Sequence, residues 1–140
     1  MENKNYISKE DIITHYMELV SKKKKRPKSI RSFCKQTDLE TENFYHHFKS
    51  LEKVEKTIFT TLFKNSLAVL HESEEFGSFD KKNKLISLYF TFFENLTLNK
   101  DYIQIVLKGC KNKLQSYKTL SGLEKNFKRF IADLHLSESI

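Results

Sequence analysis

Glu42 and His46 stand four residues apart, and Thr41, Asn43 and His47 lie beside them, so seven residues hold an acid, two imidazoles, an amide and a hydroxyl. Residues four apart share a helical face, and three chemistries could use such a set. Metal ligation needs a third clustered ligand, which this stretch lacks, and no helix carries the paired-histidine metalloprotease pattern. Nucleophilic catalysis needs a serine or cysteine set beside a base, and none is so placed. Gly77, Gly109 and Gly122 are isolated, so there is no glycine-rich phosphate loop, and Cys34 and Cys110 are too scattered for a zinc site or a disulfide framework. Neither an enzyme, a cofactor nor a metal is expected. Reading nucleic-acid bases remains: asparagine bonds adenine bidentately, threonine touches the thymine methyl, and glutamate accepts from cytosine.

Such residues read bases only from a helix held at the right angle, and the flanking sequence supplies one. In Ser29 to Thr37, Ile30, Phe33 and Cys34 recur at i, i+3, i+4 and share a face, with Ser29 as the expected cap. A short turn through Asp38 and Leu39 leads to a helix over Thr41 to His47. There Leu39, Phe44 and Phe48 face inward and Thr41, Glu42, Asn43 and His46 face out. Two short helices joined this way form a helix-turn-helix, the second lying in the major groove.

Charge supports that use. Residues 1–64 hold 14 Lys and Arg against 9 Asp and Glu, a net of +5, whereas residues 65–140 hold 11 against 9, a net of +2. Lys22 to Lys35 contains eight cations and no acid. Clustered Lys and Arg beside a reading helix gain from counterion release at phosphates, independent of base sequence. Lys24, Lys25, Arg26, Lys28, Ser29, Arg31 and Lys49 are the expected phosphate contacts.

From Ile12 to Val54 the pattern resembles the TetR family of bacterial transcriptional regulators. Ile12-Ile13, Tyr16 and Leu19-Val20 match the apolar opening of the family's first helix. Ser29-Ile30-Arg31 with Phe33-Cys34 match its threonine-valine-arginine to isoleucine-alanine segment, and Tyr45 to Phe48 its tyrosine-x-x-phenylalanine ending. The resemblance covers about the first 64 residues. It implies phosphate contacts from Tyr45 and His47, and an effector pocket and dimer interface in the second half. The chain departs from the pattern at Lys24, where the family closes its first helix with glycine. It departs also at Asp38 and Glu40, where the family turn has glycine and serine, and at Leu51, where a lysine usually precedes the glutamate.

Elsewhere the periodicity predicts a first helix from near Ser8 to about Ser21, with Ser8 and Asp11 as a capping box. A long fourth helix follows from Ser50 to about Ser73, broken by Glu75 to Phe79. Three more amphipathic helices are expected over Asp80 to Leu98, Lys100 to about Gln115 and Thr119 to Leu136. Leu85 to Leu96 is apolar over more than one face, which implies burial on two sides or a cavity. Plain core packing and a small apolar ligand held among Tyr89, Phe93 and Tyr102 are the two readings of that helix, and the sequence alone does not select between them.

One proline and three glycines favour helix throughout, and 140 residues suffice for one core. The expected fold is all-α: a three-helix DNA-binding domain over residues 1–50 and a small helical regulatory and dimerisation domain over 51–140. The N-terminus lacks a signal-peptide apolar region and no stretch spans a membrane, so a cytoplasmic protein is expected. Lys22 to Arg26 lacks the adjoining apolar face that membrane attachment needs.

The expected partners are double-stranded DNA and a second copy of the chain. A homodimer on a palindromic operator would act as a repressor relieved when a ligand moves the fourth helix. The chain stops where the family continues for two long helices. The C-terminal domain is therefore reduced, the chain is a fragment, or pairing uses Lys100 to Leu136. The competing reading is a protein-interaction module that keeps the helix-turn-helix as a scaffold, with Glu40 and Glu42 marking lost DNA binding.

Overall fold

The computed structural model describes residues 7–110 and 112–138, with side chains up to residue 134. These residues are helical throughout, without a strand. The order is α1 (Lys9–Lys23), α2 (Ile30–Thr37), α3 (Thr41–His47), α4 (Leu51–His71), α5 (Glu74–Ser78), α6 (Lys81–Leu98), α7 (Lys100–Lys108) and α8 (Lys113–Glu138).

Short polar side chains start most of these helices by satisfying amides that lack an intrahelical acceptor. Ser8 accepts from the Asp11 amide while Asp11 accepts from the Ser8 amide, completing the capping box. That bond to the Ser8 amide holds the Asp11 carboxyl below its usual range. Ser29 accepts from the Ser32 amide at 3.0 Å, Ser50 from Lys53 at 3.1 Å, and Asp80 from Asn83 at 2.8 Å. Glu40 holds the N-cap position of α3 without a side-chain cap bond.

Where the family pattern calls for glycine, Lys24 and Asp38 adopt the left-handed conformation themselves, at φ 61° and 57°. Each closes its helix by donating its amide to a carbonyl four residues back, Val20 for Lys24 and Cys34 for Asp38. Aspartate tolerates this region and lysine does so at a cost. Lys24→Gly is therefore expected to stabilise the chain by about 0.5 kcal/mol, the relief of Cβ strain exceeding the added chain entropy. A urea midpoint that rises with unchanged slope would show it; a fall would mean that the Lys24 side chain contributes more than its backbone costs.

The second half departs from expectation in two places. Glu74–Ser78 forms a helical turn where a break is expected, and α7 ends at Lys108 rather than near Gln115. Gly109 follows α7, and Asn112 opens α8 by accepting from the Gln115 amide at 2.9 Å, so α8 starts at Lys113, six residues before Thr119.

Packing centres on α4, which runs along α8 on one side and α6 on another. Phe63 meets Phe92 of α6 at 5.5 Å between ring centroids and Phe127 of α8 at 4.6 Å. Asn95 of α6 donates to the Leu62 carbonyl at 3.0 Å and to buried Ser66 at 3.3 Å, giving this contact a polar register mark. A second aromatic series runs from α3 to α7: Phe48 to Phe44, Phe44 to Phe33, Phe33 to Tyr16, and Tyr16 to Tyr102, with centroid separations of 5.4–6.3 Å.

Candidate nucleic-acid interface

α3 has only seven residues, too few to be helical alone in water, so tertiary contacts hold it. Phe44 is fully buried and Phe48 nearly so, packed on Phe33 of α2 and under the Lys9 ammonium, which lies 5.4 Å from the Phe48 ring. With those two inward, Thr41, Glu42 and His46 are exposed and Asn43 is half-buried. Glu42, Asn43, His46 and His47 share a cavity of about 340 Å³ with Ile7. The four residues expected to read bases thus lie on the outward side of one helix.

The expected phosphate contacts divide. Lys24, Lys25, Lys28, Ser29, Arg31, Tyr45 and Lys49 are all exposed, Tyr45 at 57%. Ser29 also caps α2, which leaves its hydroxyl proton for an outside acceptor. His47 is half-buried and its Nε2 donates to the Ile7 carbonyl at 2.6 Å, which ties α3 to the chain entering α1.

Arg26 is a correction to the sequence reading. It turns inward, its Nε and Nη2 donating to Glu55 Oε2 and Oε1 at 2.7 and 2.9 Å, while Nη1 donates to the Gly109 carbonyl at 3.0 Å. A guanidinium spent in a two-pronged carboxylate bond has no fork left for a phosphate.

Glu55 is the residue that the sequence reading missed. Its side chain is fully buried on α4 and takes a third hydrogen bond from the Tyr16 hydroxyl at 2.5 Å. A buried carboxylate persists only when its oxygens are satisfied, and here three donors from two elements do so. Burial, reinforced by the Glu55 charge, pushes the Tyr16 hydroxyl far above the ordinary tyrosine range. For Arg26, burial pulls downward, and the hydrogen bonds and charge of Glu55 more than reverse it. The cluster joins α1, the α1–α2 loop, α4 and the end of α7. Beside it Tyr102 is buried, its hydroxyl without a hydrogen-bond partner among the described residues. The sequence does hold a signal for Glu55: it interrupts the apolar stripe between Val54 and Ile58, and an acid there requires a cation from elsewhere.

The expected ligand set is also corrected. Tyr89 and Phe93 stack on each other at 6.1 Å on the outer side of α6, 45% and 57% exposed, whereas Tyr102 is buried against Tyr16 of α1. The three do not face a common space. α6 buries one face through Leu88 and Phe92 and leaves Ile86, Tyr89, Phe90 and Phe93 open to solvent.

Among the described residues no group of three or more His, Cys, Asp or Glu could hold a metal, and no helix is long and apolar enough to cross a membrane. Cys34 is buried and Cys110 half-buried, both as free thiols, and burial raises the Cys34 thiol.

Among the described residues all elements are helices, and α1 to α3 pack on one another and on the long α4, which runs along α6 and α8. Residues 84–139 match the family model described as Tetracyclin repressor-like, C-terminal domain. The head, α1 to α3, lies before the matched residues. No curated protein and no solved structure matches the chain.

Proposed function

We propose that this TetR-like chain is a transcriptional regulator that binds duplex DNA through α3, most simply a ligand-responsive repressor acting as a dimer on a palindromic operator. The observation that carries the reading is the outward face of α3, with Thr41, Glu42, Asn43 and His46, beside the exposed cations Lys24, Lys25 and Lys28. Asn43 and Thr41 supply base-edge contacts, and the lysines, with Tyr45, Arg31 and Lys49, supply phosphate contacts that set register. Residues 1–50 act as the reading head and 51–140 as the regulatory and pairing part. Pairing is supported by Ile86, Tyr89, Phe90 and Phe93, an exposed apolar row at i, i+3, i+4, i+7 of the kind that marks an interaction surface.

The test is fluorescence anisotropy of the full chain with random duplex DNA at two salt concentrations, comparing the wild type with the Lys24→Ala, Lys25→Ala, Lys28→Ala variant. Arg26 stays intact, because its loss would report on folding. The expected result is salt-sensitive binding whose logarithmic salt slope falls by about 3 in the variant, close to one per phosphate contact removed. Absence of binding by the wild type at low salt would transfer the function to protein interaction, with the head as a scaffold.

A further inference from the structure

α4 and α8 pack along their lengths, and their shared seam is basic on both sides. We infer that this seam is a binding groove for a small organic polyanion carrying phosphate or carboxylate groups. α4 contributes Lys53, Lys56 and Lys64, and α8 contributes Lys118, Lys125 and Arg129. The groove has two basins. One, of about 600 Å³, is lined by Lys53, Lys56 and Lys118 together with the neutral polar Asn112, Gln115 and Thr119. The other, of about 350 Å³, is lined by Lys64, Lys125 and Arg129 with Asn126 and Thr60.

In the wall of the second basin the helices touch at Gly122, where an added Cβ would lie 2.6 Å from the Thr60 methyl. The glycine lets α8 approach α4 closely and brings the two cationic rows into range of each other. Lys53, Lys56 and Lys64 recur at i, i+3 and i+11, and Lys118, Lys125 and Arg129 at i, i+7 and i+11, so each row stays on one helical face.

Facing helices ordinarily offset their charges by alternating sign. Here Glu52 is the one acid lining either basin, and none of the six cations forms an ion pair among the described residues. Glu124, next to Lys125, has its carboxylate bound by Lys128 at 3.1 Å and by the Tyr117 hydroxyl at 3.4 Å, and Glu55, next to Lys56, is buried and held by Arg26. Like charges held across a concave surface concentrate positive potential, which an anion with several charged groups relieves. A basin of this size takes a metabolite-sized molecule rather than a duplex. Such a ligand would bridge α4 to α8. Neither basin shares a lining residue with the cavity on α3, so the inference does not rest on DNA binding.

Isothermal titration of the full chain with inorganic tripolyphosphate and with citrate tests it. Four proteins are compared: the wild type, Lys56→Gln/Lys118→Gln, Lys125→Gln/Arg129→Gln, and the Lys24/Lys25/Lys28→Ala loop variant. Saturable binding to the wild type is expected, weakened about tenfold or more in the groove variants and little changed in the loop variant. Tighter binding of tripolyphosphate would assign the natural ligand to phosphate compounds, and of citrate to polycarboxylates. Removing mutually repelling charges preserves the fold, so the unliganded groove variants should melt at or above the wild type. The proposal is overturned if neither probe saturates, if both groove variants bind like the wild type, if the loop variant accounts for the loss, or if the groove variants melt well below the wild type.

Discussion

Glu55→Ala is expected to lower the stability of the folded chain by about 3–5 kcal/mol, the cost of removing one partner from a buried ion pair. The substitution leaves the Arg26 guanidinium, only 20% exposed, facing an empty site beside the Tyr16 hydroxyl, and deletes the acceptor of three hydrogen bonds. For a chain of this size that corresponds to a fall in melting temperature on the order of 10–15 °C. Glu55→Gln keeps the volume and an acceptor for Tyr16, and should cost less. Because burying a charge pair is itself expensive, a combined Arg26→Met, Glu55→Leu variant should recover most of the loss. Thermal melts of the three variants decide it: a Glu55→Ala protein within about 1 kcal/mol of the wild type would show that the cluster is incidental to the fold.

Phe44→Ala should be as damaging, at about 3–5 kcal/mol, and its effect should fall first on α3. Phe44 is fully buried and touches Phe33, Phe48 and Tyr45 at centroid distances of 5.8–6.0 Å. α3 has no side-chain cap bond at its start and only seven residues, so Phe44 and Phe48, with the His47 bond to the Ile7 carbonyl, hold it helical. DNA affinity should therefore disappear at temperatures where circular dichroism still reports a helical body. Phe44→Leu, which refills most of the space, should cost about 1 kcal/mol and retain binding. Loss of both signals in one step, with no temperature at which they separate, would contradict the idea that the head depends on this ring.

The parts of the molecule that were legible in sequence are those written in local chemistry. Ser8, Ser29, Ser50 and Asp80 mark helix starts because their side chains satisfy amides three residues away. The bounds of α3 follow from its inward aromatics. The break between α7 and α8 was misplaced because Ile103, Val106 and Leu107 continue their spacing up to Cys110. Gly109 and Asn112 punctuate too quietly to override that run. The ligand set around Tyr89, Phe93 and Tyr102 failed for another reason: an aromatic-rich helix does not reveal which face its neighbours cover, and α7 buries Tyr102 against Tyr16 of α1. Arg26 and Glu55, 29 residues apart, pair only through the fold, so the charge run hid one member and the apolar stripe the other.

The aromatic series from Phe48 to Tyr102, together with the hydrogen bond from Arg26 to the Gly109 carbonyl, bears on modularity. The unit formed by α1 to α3 finds part of its interior in residues that come more than fifty positions later. Cut at Ser50, it would lose Glu55, Tyr102 and Gly109 together and expose the inner sides of Tyr16 and Arg26. Its integrity is thus borrowed from the body, which makes it a poor cassette for transplantation and a direct listener to any rearrangement of α7.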